Sequence, residues 1–186
     1  ARPVLGVAPA WALLNVGEVD AAETRLQDVE SRLDASTDMD ELQEASAVEM
    51  FIVDREQFRT LPASIATART YLAQSRGDVS GSIAHAQRAL DLLSEEDYIQ
   101  RGPAAALLGL AYWGRGELEA AYQALAGAMT GFRLAGSIAF AISGAYGLAD
   151  IRVSQGRLGA AVHVYEQALQ LVAEQGGRPI RGTADL

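Results

Sequence analysis

The chain has 186 residues, a formal net charge of −9 and no cysteine, and all fifteen of its basic residues are arginine. Disulfides, thiolate metal sites and a cysteine nucleophile are therefore excluded, and without lysine so are a Walker-type phosphate loop, Schiff-base chemistry and Ser–Lys dyads. Dispersed arginines on an acidic chain lack the clustered positive charge that duplex binding needs. No run resembles a signal peptide or approaches the ~18 apolar residues of a membrane span, so neither nucleic-acid nor membrane contact is expected and the cytoplasm is the default location.

Apolar residues recur at spacings of three and four, and no stretch sustains the alternation of a strand, so the fold class is all-α. In chain order the pattern predicts helices over 9–16, 18–33, 39–54, 61–76, 79–94, 102–115, 118–135, 138–154 and 158–175. Pro62 and Pro103 are read as first-turn prolines, with Thr60 as a cap, and Pro9 as doing the same for the first helix. In the helix predicted over 118–135, Leu118, Ala121, Tyr122, Leu125, Ala128 and Met129 form one apolar stripe. Leu158, Ala161, Val162, Tyr165, Ala168 and Leu169 repeat it one unit later.

One motif returns four times: Gly17-Glu18-Val19-Asp20-Ala21-Ala22, Gly77-Asp78-Val79-Ser80-Gly81-Ser82, Gly116-Glu117-Leu118-Glu119-Ala120-Ala121 and Gly156-Arg157-Leu158-Gly159-Ala160-Ala161. The glycines lie 60, 39 and 40 residues apart. A glycine that takes a left-handed conformation closes one helix, and the next starts at once. Small residues then let the two backbones approach. This predicts helical hairpins with a period near forty: repeats over 1–33, 61–97, 101–136 and 138–176, with an extra helical insertion over 38–58. Arg181-Gly182-Thr183-Ala184-Asp185-Leu186 resembles the opening of the repeat at Arg101-Gly102-Pro103, so a truncated next repeat is expected there and the chain is read as a fragment of a longer array. Helix-interior glycines at 109, 127, 131, 144 and 147 are costly for propensity, about 1 kcal/mol each against alanine. Close helix–helix packing is the expected compensation.

These residues resemble a known family. Leu108-Gly109 and Tyr112, followed by Ala121, Leu125 and Ala128, fall where the tetratricopeptide pattern has its Leu-Gly pair, tyrosine and small–large–small positions. Leu148-Ala149, Ala161, Tyr165 and Ala168 match the same places. Arg69-Thr70 and Ser82 depart from them, the pattern's terminal proline is missing, and the period exceeds thirty-four. Leu61-Pro62-Ala63-Ser64-Ile65-Ala66, Gly109-Leu110-Ala111-Tyr112-Trp113, Leu148-Ala149-Asp150-Ile151 and Tyr165-Glu166-Gln167-Ala168-Leu169 are similar to the repeat region of MalT-like, LuxR-type large ATP-binding transcription regulators. The resemblance implies a right-handed tetratricopeptide-like α-α superhelix that lies between an ATPase and a helix-turn-helix domain in such regulators. It also implies a role in binding a small-molecule effector or a regulatory protein or peptide, with self-association possible. The alternative is a general tetratricopeptide-type adaptor unrelated to transcription.

Catalytic signatures are absent: there is no Gly-x-Ser-x-Gly elbow and no His-Glu-x-x-His, so a non-catalytic scaffold is expected, with no cofactor and no metal. An α-helical enzyme would need two carboxylates converging in a deep pocket. His85 and His163 read as surface or groove-edge imidazoles. Residues 28–60 carry ten acidic and three basic side chains, either an acidic docking surface or a solvated face. Projecting back from the hinge glycines places Thr67, Tyr71 and Gln74, then Ala106, Leu110 and Trp113, then Tyr146, Asp150 and Val153 on the inner face of the superhelix. From these, Tyr71, Gln74, Leu110, Trp113, Tyr146 and Asp150 are the candidate concave groove: an aromatic track with Gln74 and Asp150 as polar anchors. Packing between repeats is the competing role for the same side chains. Arg69 and Arg152, among apolar neighbours, are expected to pair with carboxylates.

Overall fold

A computed structural model describes residues 7–43 and 55–174, with side chains over 7–33 and 59–174. Eight helices occur among the described residues: α1 Ala8–Asn15, α2 Val19–Gln43, α3 Arg55–Ser75, α4 Val79–Asp91, α5 Tyr98–Gly114, α6 Leu118–Leu134, α7 Ile138–Ser154 and α8 Leu158–Glu174. Each packs chiefly on its neighbours in sequence, and α3 also meets α1 and α5. The result is a tetratricopeptide-like superhelix of four hairpins, α1/α2 to α7/α8. Along α1 to α5 the first helices approach one another more closely than the second helices do. The array therefore curves with first helices inside and second helices outside.

The turns explain the regularity. After α5 the amide of Gly116 donates to the Trp113 carbonyl (2.9 Å) and that of Glu117 to the Tyr112 carbonyl (2.9 Å). These two bonds define a Schellman closure, which needs a residue at positive φ. Gly116 supplies it at φ 82°. The same pair of bonds closes α1 at Gly17, α3 at Gly77, α6 at Gly136 and α7 at Gly156. Gly136 (φ 72°) was not among the predicted hinges. It joins successive hairpins with the device used inside them, so turns recur every twenty residues from Gly116 to Gly156. Among the described connections the exception is that between α4 and α5, where no positive-φ glycine occurs. There Asp97 organises the turn: Oδ2 accepts from the Ser94 amide and hydroxyl (both 2.8 Å), and Oδ1 accepts from Arg59 Nη2 (2.6 Å).

Three predictions about elements are corrected. The helix expected to start at 39 does not exist as such: α2 runs unbroken from Val19 to Gln43. Residues 44–54 lie outside the described residues, and 55–58 form the first turn of α3. Pro62 and Pro103 lie inside α3 and α5, not in their first turns, because both helices begin earlier than the prolines suggest. Thr60 is helix interior, not a cap. The expected next repeat at 181–186 lies outside the described residues.

The small–large–small positions form the core. Ala22 and Leu26 in α2, Ala86 and Ala89 in α4, Ala121, Leu125 and Ala128 in α6, and Ala161 and Ala168 in α8 are all buried. Two of the expected glycines sit at close approaches. A Cβ on Gly109 would lie 2.6 Å from Leu125 Cγ and 3.1 Å from the Leu125 amide nitrogen; on Gly144 it would lie 2.8 Å from Met129 Cγ. Gly127 departs from the expectation, since nothing lies within 4 Å of its Cβ position.

Candidate functional site

The six predicted groove residues lie on α3, α5 and α7, all first helices. The structure gives them unequal freedom. Tyr71 is half-buried and meets Trp11 of α1 edge-on, ring centres 5.7 Å apart. Gln74 is engaged between repeats: its Nε2 donates to the Leu107 carbonyl of α5 (2.8 Å). Trp113 is half-buried against the cluster around Leu125 and Leu148, within 3.8 Å of the Cβ position of Gly147. Tyr146 meets Tyr165 of α8 edge-on at 6.1 Å. Each aromatic thus also serves as packing between helices, and Tyr71, Trp113 and Tyr146 do not stack on one another. Leu110 (47% exposed) and Asp150 remain open to solvent, and Val153 (50% exposed) adjoins them on the same face. Thr67 is buried, with its hydroxyl donating to the Ala63 carbonyl.

The two expected arginine pairs are present. Arg69 grips Glu30 of α2 through Nε (3.0 Å) and Nη2, with Glu23 3.7 Å from Nη1. Arg76 holds Glu23 (2.5 Å) and Asp20 (3.0 Å). The hydrogen bond from Arg76 is the main reason the Glu23 carboxyl titrates below its usual range. Most of the acidic stretch expected over 28–60 lies outside the described side chains; within it Glu30 is held by Arg69. Arg152, buried in α7, donates Nη1 to Glu119 Oε2 (3.0 Å) and Gln155 Oε1 (2.6 Å), and its guanidinium lies 3.3 Å from the centre of the Tyr122 ring. A desolvated cation over an aromatic face is worth about 2 kcal/mol, so this clasp ties α6 to α7.

Sequence reasoning missed the cavities on the opposite face. Three of them, of about 280, 550 and 350 Å³, each open between consecutive second helices above the first helix that separates them. None is lined by the six groove residues. Only the curvature that spreads the second helices creates these gaps, and that curvature is invisible in a one-helix pattern. Among the described residues no three His, Asp or Glu side chains gather as a metal ion would need.

Glycine-closed hairpins stacked into a curved array, with an exposed strip along the first helices, define a tetratricopeptide-like repeat protein. More specifically, residues 63–186 match the family model of the MalT-like TPR region, and the chain belongs to that family. No curated protein and no solved structure matches the chain. No helix among the described residues is long and apolar enough to cross a membrane.

Proposed function

We propose that this chain is a non-catalytic sensor segment of a LuxR-type transcription regulator, and that it binds a small-molecule effector or a regulatory protein along its first-helix face. The family match over residues 63–186 carries this reading. The exposed Leu110, Asp150 and Val153, set among half-buried aromatics, support the choice of face. An apolar strip with one carboxylate and aromatic walls suits a polyhydroxy or peptide ligand better than a polyanion.

The test is a thermal-shift screen of small metabolites and sugars on the whole chain. A ligand at 100 times its Kd adds about 2.7 kcal/mol by mass action, which is readily seen as a higher Tm. The shift should vanish in Leu110→Asp and weaken in Asp150→Asn. Hits that stabilise wild type and Leu110→Asp equally would place the ligand elsewhere and refute this face. A chain stabilised only by peptides, with no effect on a regulator carrying it, would favour the general adaptor.

A further inference from the structure

The three cavities between second helices occupy equivalent places in the repeat, so they can be compared position by position. Eight residues before the turn glycine, the first helix contributes Leu108 and Leu148 to two of the cavities but Arg69 to the one between α2, α3 and α4. Eight residues after that glycine, the second helix contributes Ala124 and Val164 to two, but His85 to the third. Eleven residues after it, Gly127 and Gln167 correspond to Arg88. Thirteen after the preceding glycine, Leu90 and Met129 correspond to Glu30. Four register positions that are apolar or neutral elsewhere are ionisable here together.

Packing does not require this substitution, because the sister cavities show that apolar residues satisfy the same positions. Nor is the cluster closed upon itself. Glu30 is held by Arg69. The side chains of His85 and Arg88 form no hydrogen bond or ion pair among the described residues, and His85 is half-buried. Among the described residues the lining therefore holds two arginines against one glutamate, a single positive charge. Beyond the lining, Glu23 bridges Arg69 (3.7 Å) and Arg76 (2.5 Å), and Asp20 pairs with Arg76. The remaining described wall is apolar: Leu33, Pro62, Ile65 and Ala66.

We infer that the cavity between α2, α3 and α4 is a binding site for a small monoanion, a carboxylate on a short aliphatic body. Arg88 supplies the charge, His85 donates a ring N–H, and Arg69 adds a fixed positive field while remaining tied to Glu30. The aliphatic body lies on Leu33, Pro62 and Ile65. A volume of about 280 Å³ suits a small metabolite. This site lies on the face opposite the first-helix strip and is independent of the function proposed for that strip. Burial and the nearby Arg69 and Arg88 depress the His85 pKa, as expected of a half-buried imidazole beside two arginines.

The chain has only two histidines, so imidazole proton NMR reads the site directly, with His163→Gln assigning the signals. The probes are acetate, 4-methylpentanoate and inorganic phosphate, each titrated into the full chain at constant ionic strength. 4-Methylpentanoate should shift the His85 signal saturably and leave His163 unmoved. It should bind at least about tenfold more tightly than acetate, since a fully buried CH₂ is worth about a fourfold change. Arg88→Gln, on the exposed side of α4, should weaken binding about tenfold or more without altering the circular dichroism spectrum. The inference is overturned if the His85 shift fails to saturate, if Arg88→Gln binds as wild type does, or if phosphate binds more tightly than 4-methylpentanoate.

Discussion

Gly109 is the position where the close-approach argument can be refuted most directly. Its Cβ site lies 2.6 Å from Leu125 Cγ, 2.9 Å from Leu125 Cδ2 and 3.1 Å from the Leu125 amide nitrogen. Two of these atoms belong to the root of a buried side chain or to main chain, so they yield less readily than a side-chain tip. Gly109→Ala gains about 1 kcal/mol of helix propensity and loses about 1–3 kcal/mol to overpacking. A net loss near 1 kcal/mol is expected, a fall in Tm of about 3 °C for a chain of this size. Gly109→Leu must place three further carbons there and should lose about 3 kcal/mol, or about 10 °C. The decisive measurement is a double-mutant cycle with Leu125→Ala, followed by urea denaturation. Leu125→Ala alone costs about 2–5 kcal/mol through its cavity. In that background the clash with Cγ is gone, and Gly109→Ala should become neutral or stabilise by up to about 1 kcal/mol. A coupling below about 0.5 kcal/mol would mean that the two residues act independently. The close α5–α6 crossing would then not explain the glycine.

Gly127→Ala should raise stability by about 1 kcal/mol, because its Cβ meets nothing; a lower Tm would show that the cavity wall is tighter than described. Gly136→Ala should cost about 1–2 kcal/mol, since φ 72° is unfavourable to any residue with a Cβ, and an unchanged denaturation midpoint would argue against the Schellman turn between hairpins. Arg152→Met, which keeps the bulk over Tyr122 but removes the charge, should cost about 2 kcal/mol, and Glu119→Gln should cost less because Glu119 is half-exposed. The Asp97 carboxyl is held down to about 2 by the Arg59 hydrogen bond and then by Ser94. Its contribution is complete above the ordinary carboxylate value near 3.8 and lost as pH falls through about 2. Discounted for the half-exposed Arg59, it is worth about 1 kcal/mol. The stability difference between wild type and Asp97→Asn should therefore shrink between pH 4 and pH 2, and a constant difference would refute the linkage.

The hairpins were legible because a positive-φ turn favours glycine and the close crossing after it favours small residues. Gly17, Gly77, Gly116 and Gly156 each mark a turn inside a hairpin. Gly136 escaped because attention to a forty-residue period hides a turn every twenty. The prolines misled for a different reason. An N1 proline loses no helical bond, so it is the cheapest reading of Pro62 and Pro103. The structure instead extends both helices upstream and accepts one missing main-chain bond in each. For α5 the earlier start follows from Asp97, whose bonds to Arg59 and Ser94 fix the turn before Tyr98.

The candidate groove was legible only as a set of positions. Counting from the glycines placed Leu110 and Asp150 on an open face, but it could not foresee that Gln74 reaches the Leu107 carbonyl or that Tyr71 is taken up by Trp11. Those outcomes depend on the distance between repeats, which sequence spacing does not encode. The repeat supplies a different kind of information once the register is known. Each unit is a control for the others, since the same position in the same fold has been filled more than once. By that standard Arg152 is less informative than it looks. It replaces Tyr112 at one register position, and its pairing with Glu119 and Tyr122 accounts for it completely. Arg69 is paired as fully, yet it stands beside Arg88 and His85, whose side chains have no partner among the described residues. A structural ion pair explains one charge at one position; it does not explain four register positions changing together around a space large enough for a ligand.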